Sequence, residues 1–159
     1  IIVAVLSANK GSVKEDTIWL QLHLDSTSAI ISEYQPKVKS SGLRSNSASL
    51  TGVLSNTSSK LVSYLASKYE YKAGSDKNLA EQIKTEQDAM NQELFEAKIT
   101  GALDRVYAHK MAYEISIFMA EETKIYNETN DESLKDILNE SYGSLENLYD
   151  SFNDFSEGS

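Results

Sequence analysis

Leu134, Leu138, Ser141, Leu145, Leu148, Phe152 and Phe155 recur at four-three spacing through the C-terminal part of the chain. That period places them on one face of an α-helix. A helix that is apolar on one face must bury it against another element. The chain gives such helices room, with only one proline and seven glycines among 159 residues. Few backbone breakers favour long uninterrupted helices.

The same spacing recurs upstream. A first helix is expected from about Val13 to Lys39, with Ser12 and Glu15 as a capping box and Leu20, Leu24, Thr27, Ile31, Tyr34 and Val38 as its stripe. Ile18, Leu20, Leu22 and Leu24 also alternate as a strand would, and Pro36 should kink or end the helix. Ser40-Ser41-Gly42 marks a turn. A second helix, about Leu43 to Tyr69, carries Leu50, Leu54, Thr57, Leu61 and Leu65, and Gly74 is its expected stop.

A third helix, about Asp76 to Ile99, carries Leu79, Ile83, Met90, Leu94 and Ala97. Thr100-Gly101 is the weakest break, compatible with one continuous helix across it. The fourth helix runs to about Asn127 with Leu103, Tyr107, Met111, Phe118 and Ile125, and Asn130 caps the fifth. Several amphipathic helices joined by short turns imply an all-α, antiparallel bundle. Residues 12–159 read as one domain of ordinary size.

Residues 1–11 read differently. Ile1-Ile2-Val3-Ala4-Val5-Leu6-Ser7-Ala8 lacks helical periodicity and is followed at once by Asn9-Lys10-Gly11. Eight helical residues rise about 12 Å, short of a hydrocarbon layer about 30 Å thick. The stretch is expected to be the end of a signal or membrane anchor, or else an apolar lead-in. An extracytoplasmic protein, anchored or secreted, follows as the expectation.

Charge is split along the chain. Residues 1–75 sum to +3 and residues 76–159 to −12, giving the net −9. An acidic half repels phosphate backbones, which argues against nucleic acid as a partner. With no cysteine, thiolate metal sites, disulfides and cysteine nucleophiles are excluded.

A run of features from Asp76 onward resembles a known family. Lys77-Asn78-Leu79-Ala80-Glu81-Gln82-Ile83 leads to Asp88-Ala89-Met90-Asn91-Gln92-Glu93-Leu94, then Leu103-Asp104-Arg105-Val106-Tyr107, then Asn130-Asp131-Glu132-Ser133-Leu134-Lys135. The order resembles the ferritin-like four-helix bundles of unknown function found in exported bacterial proteins. Leu-Asp-Arg-Val-Tyr is similar to a Phe-Asp-Arg-x-Tyr segment of that family. The resemblance implies a ferritin-like four-helix bundle, to which the chain adds an N-terminal helix. An Asp-His pair of that family falls here on Glu86-Gln87 and Glu114-Ile115, neither with histidine, so the resemblance carries no metal ligand set.

Three glutamates, Glu86, Glu114 and Glu121, lie on or beside apolar stripes, and the last two share a face with Tyr107, Met111, Phe118 and Ile125. Inward carboxylates must be neutralised, paired or metal-bound. With Gly101 as the turn, Glu86 and Glu114 fall about 3 Å apart in height and Glu121 about 10 Å beyond Glu114. Di-metal bundles add two Glu-x-x-His pairs. His23 follows Leu20 by three residues and His109 follows Val106, so that signature is missing. Two carboxylates without histidine predict no bound transition metal and no cofactor, and lysine-paired glutamates at the bundle edge are expected.

No phosphate-cradling glycine loop and no serine elbow occurs in the sequence, and no catalytic residue is assigned. Tyr126, Tyr142 and Tyr149 are expected at helix edges, where aromatics serve core boundaries and binding surfaces alike. Three Asn-x-Ser/Thr sequons begin at Asn56, Asn127 and Asn139. The expected function is that of a non-enzymatic bundle working through protein contacts near a membrane. A metal-binding or stress-protective ferritin-like bundle and a small-ligand carrier are the alternatives.

Overall fold

The computed structural model describes residues 12–158, among which five α-helices and no strand occur. They are α1 (Val13–Tyr34), α2 (Ser41–Tyr69), α3 (Lys77–Ile99), α4 (Leu103–Glu128) and α5 (Glu132–Gly158), with a 3₁₀ turn at Gln35–Lys37. The apolar segment from Ile1, and the anchoring expectation resting on it, lie outside the described residues. No described helix is long and apolar enough to cross a membrane.

Local chemistry sets most helix ends. Ser12 and Glu15 form the expected reciprocal capping box on α1. Pro36 sits in the 3₁₀ turn, so α1 stops at Tyr34 rather than continuing to Lys39. Val38 is nonetheless buried, completing the stripe from beyond the helix. Ser40 caps α2 through the Leu43 N–H, and Asp76 caps α3 through the Leu79 N–H.

Two expected ends are corrected. Glu70, not Gly74, closes α2 in the left-handed conformation (φ 54°), and Gly74 (φ 78°) serves the turn that follows. At the start of α5 the capping residue is Asp131, whose carboxylate accepts the Ser133 N–H at 3.0 Å; Asn130 is exposed. The break before α4 is real, with Gly101 at φ 78°.

The helices bury their stripes in one core. α1 packs on α2 and α4, and α5 packs on α2 and α4, so these four close a ring. α3 packs on α1 and α4, outside that ring. The N-terminal helix α1 is therefore part of the core, with α3 packed against it and α4. Three helices surround α1, which explains the strand-like alternation of its sequence. Ile18, Leu20 and Leu24 are all buried because α1 is covered by α2, α3 and α4, not by one neighbour across a sheet. Leu148, Phe155, Leu79 and Met90, expected in the core, are half-buried at its edge.

Candidate functional site

The interior polar groups gather on both sides of α4. On the α1 side, His23 Nε2 meets Glu114 Oε2 at 2.6 Å, and Thr27 Oγ1 donates to the same oxygen at 3.5 Å. The pair is sealed, His23 being 6% and Glu114 4% exposed. Trp19 and Phe118 each stand edge-to-face with the imidazole, with centroids 4.7 and 5.0 Å away. The four-three period explains the meeting, because it aims Glu114 and Phe118 inward from adjacent turns of α4.

Further along, Lys124 Nζ lies 2.8 Å from Asp16 Oδ2 and 3.8 Å from Glu121 Oε1. Burial pushes the Glu121 carboxyl up to about 7, while Lys124 pulls it down and Asp16 and Glu128 push it up further. Toward α2, Gln21 donates to Asp25 at 2.6 Å and to Ser58 at 3.1 Å, and Ser58 donates to Asp25 at 2.6 Å. α1 thus carries three polar groups, centred on Asp16, on His23 and on Gln21 with Asp25.

On the α5 side, the Ser141 hydroxyl donates to Glu122 Oε1 at 2.5 Å. Glu122 Oε2 is buried without a hydrogen-bond partner among the described residues. Burial raises this carboxyl to about 8, against which Ser141 pulls it down. Glu122 lines a surface groove with Thr123, Tyr126, Leu138, Asn139 and Tyr142.

The expected carboxylates thus part company. Glu114 and Glu121 are buried, and Glu86 is exposed on α3, so it shares no interior site with Glu114 whatever their heights. The partner of Glu114 is His23, not an edge lysine; Glu121 does pair with lysine. Asp16 and Glu122 were missed by stripe reading. Asp16 is held by a neighbour across the interface, and Glu122 sits on the second apolar face that α4 turns to α5. His109 is exposed. Asn56 and Asn139 are exposed on helices and Asn127 is exposed at the end of α4. Among the described residues, no three His, Asp or Glu side chains are grouped to hold a metal ion.

Fold and site together define a helical bundle with buried ion pairs. No protein-family model matches the chain, and no curated protein or solved structure matches it significantly.

Proposed function

We propose that the chain is a non-enzymatic, antiparallel ferritin-like bundle that works through protein contacts, with the outer face of α3 as its contact surface. The partner's complementary patch is apolar at its centre and basic at its rim.

Four interhelical contacts support the antiparallel arrangement. Asp16 meets Lys124 and His23 meets Glu114 between α1 and α4; Lys60 meets Glu140 and Tyr64 meets Asp131 between α2 and the body and start of α5. Residue numbers rise along one helix as they fall along the next. Ferritin-like bundles join two antiparallel hairpins by one long crossover. The hairpins here are α1–α2 and α4–α5, and α3 is the crossover.

The observation that carries the functional reading is the pair Phe95 and Ile99, 55% and 69% exposed and one turn apart on α3. Large apolar side chains adjacent on a soluble surface mark contact sites more often than isolated ones do. Glu96 is exposed beside them on the same face, which fits a basic rim on the partner; Glu93 lies on the α4 side, paired with Lys110. The sealing of His23 and Glu114 favours a non-catalytic role, since a general base must come within hydrogen-bond reach of its substrate. The extracytoplasmic setting expected from Ile1–Ala8 remains part of this proposal.

Titration with a synthetic amphipathic helix of leucine and lysine tests it. Saturable binding is expected, weakened by added salt, lost in a Phe95→Ser/Ile99→Ser variant and absent for a leucine–glutamate counterpart. Binding that ignores the double substitution would refute the α3 surface.

A further inference from the structure

Buried carboxylates in this bundle follow one pattern with one exception. Asp16 and Glu121 share Lys124, and Glu114 has His23. Glu122 is 1% exposed, the deepest of the four, and no described lysine, arginine or histidine forms an ion pair with it. From α5 it faces the Ser141 hydroxyl and Tyr142, and along α4 the next turn brings Tyr126. A buried acceptor left unsatisfied is destabilising, so such atoms call for a functional account.

We propose that the α4/α5 groove containing Glu122 binds a primary alkylammonium group, with the Glu122 carboxylate as counter-ion and the Tyr126 and Tyr142 rings as walls.

The lining selects this chemistry. An ammonium is a compact charge with three donors. Glu122 Oε2 accepts one, and the Thr123 hydroxyl and Asn139 side chain line the same groove as further acceptors. A guanidinium binds a carboxylate best through two parallel hydrogen bonds. Glu122 cannot offer that fork, because Ser141 already holds Oε1 at 2.5 Å. Leu138 and the two rings suit an alkyl stem, and ring faces attract cations. Tyr126 already shows this affinity, with Lys135 Nζ 5.5 Å from its centroid. Glu122 is closed from solvent, so entry requires side chains lining the groove to give way; Tyr126 is partly exposed, and exposed side chains change rotamer within nanoseconds.

The cation and the proton compete for Glu122. An alkylammonium keeps its charge well above neutrality, its pKa resembling that of lysine near 10.4. Glu122 holds its proton up to about pH 8. Binding therefore releases a proton and tightens as pH rises through that range.

The test uses residues 1–159 labelled with ¹⁵N and titrated with n-butylammonium chloride. Saturable shifts are expected at Thr123, Tyr126, Leu138, Asn139 and Tyr142. The Kd should weaken more than about tenfold from pH 8.5 to pH 6.5. Glu122→Gln should weaken it by a similar factor at pH 8.5, and Tyr142→Ala by several-fold. n-Butanol and methylguanidinium should bind at least tenfold more weakly. A short peptide carrying one lysine distinguishes sources: tighter binding than n-butylammonium identifies a protein lysine as the ligand, and weaker binding a free amine. The assignment fails if no saturable shift appears, if n-butanol shifts the same residues as strongly, or if Kd is independent of pH. The pH arm uses the unsubstituted protein, so it decides even where Glu122→Gln does not fold. Loss of the α3 surface would leave these shifts unchanged.

Discussion

α4 presents two interfaces that solve the burial of carboxylates differently. Against α1, each acid meets a cationic or titratable partner, His23 for Glu114 and Lys124 for Glu121. Against α5, the interface is built from Leu134, Leu138, Leu145 and Phe152, and Glu122 is left with one hydroxyl. In the first interface, pairing offsets part of the desolvation, Glu121 still being raised to about 7; in the second, desolvation is met by holding the proton. A helix buried on two sides can carry both arrangements one residue apart, because Glu121 and Glu122 point about 100° away from each other.

The largest effect is expected in the paired interface. His23→Ala leaves Glu114 buried with only the long Thr27 contact, and urea unfolding should show a loss of about 3–5 kcal/mol. Replacing both partners, His23→Leu with Glu114→Met, should cost far less and sits between neutral and modestly stabilising. A loss under about 1 kcal/mol for His23→Ala would mean that the pair is not buried as described.

In the apolar interface, Leu145→Ala should cost about 2–5 kcal/mol, since Leu145 is fully buried. Leu148→Ala, at the edge of the same stripe, should cost clearly less. Equal melting temperatures for the two variants would contradict that gradient.

Opposite in sign to an acid whose folded value is lowered is the pH response of Glu122. Its ordinary value is near 4.5 and its folded value about 8. Between those values the folded state holds a proton that the unfolded state has released, so stability falls as pH rises. Glu121, raised to about 7, adds to the same trend between its ordinary value near 4.5 and pH 7. Glu122→Gln should flatten the stability profile, most clearly from pH 5 to 8, as read by chemical denaturation at fixed salt. A wild-type profile rising through that window would overturn the assignment of Glu122 as a proton-holding acid.

The smallest effect belongs outside the ring. Phe95→Ser should change stability by no more than about 0.5 kcal/mol, because the ring is largely solvated. A larger loss would place Phe95 in a contact that stabilises the isolated protein.

Much of this architecture is legible in the chain. The stripe from Leu134 to Phe155 announces α5 and Ser12 with Glu15 announces the start of α1, while Thr100-Gly101 leaves the break open until Gly101 is seen at φ 78°. The inward aim of Glu114 and Glu121 is legible too, since both keep the period of Tyr107 and Phe118. Three features are not. The strand-like alternation at Ile18–Leu24 misleads because a helix with three neighbours buries most of its circumference. The end of α2 misleads because Glu70, a non-glycine, takes the left-handed position. Glu86 misleads because α3 buries only a narrow strip, leaving the positions beside it in water.

Sequence alone determined the helices: spacing, caps and the single proline act within a few residues of each other, and their energies are local. Which helix faces which was decided only by tertiary packing. His23 and Glu114 lie ninety-one positions apart, and nothing in either segment names the other. The same holds for Glu122, whose lack of a cation is a property of the α5 surface opposite it. Pairing and desolvation depend on distances across interfaces, and those distances exist only once the ring of α1, α2, α5 and α4 has closed.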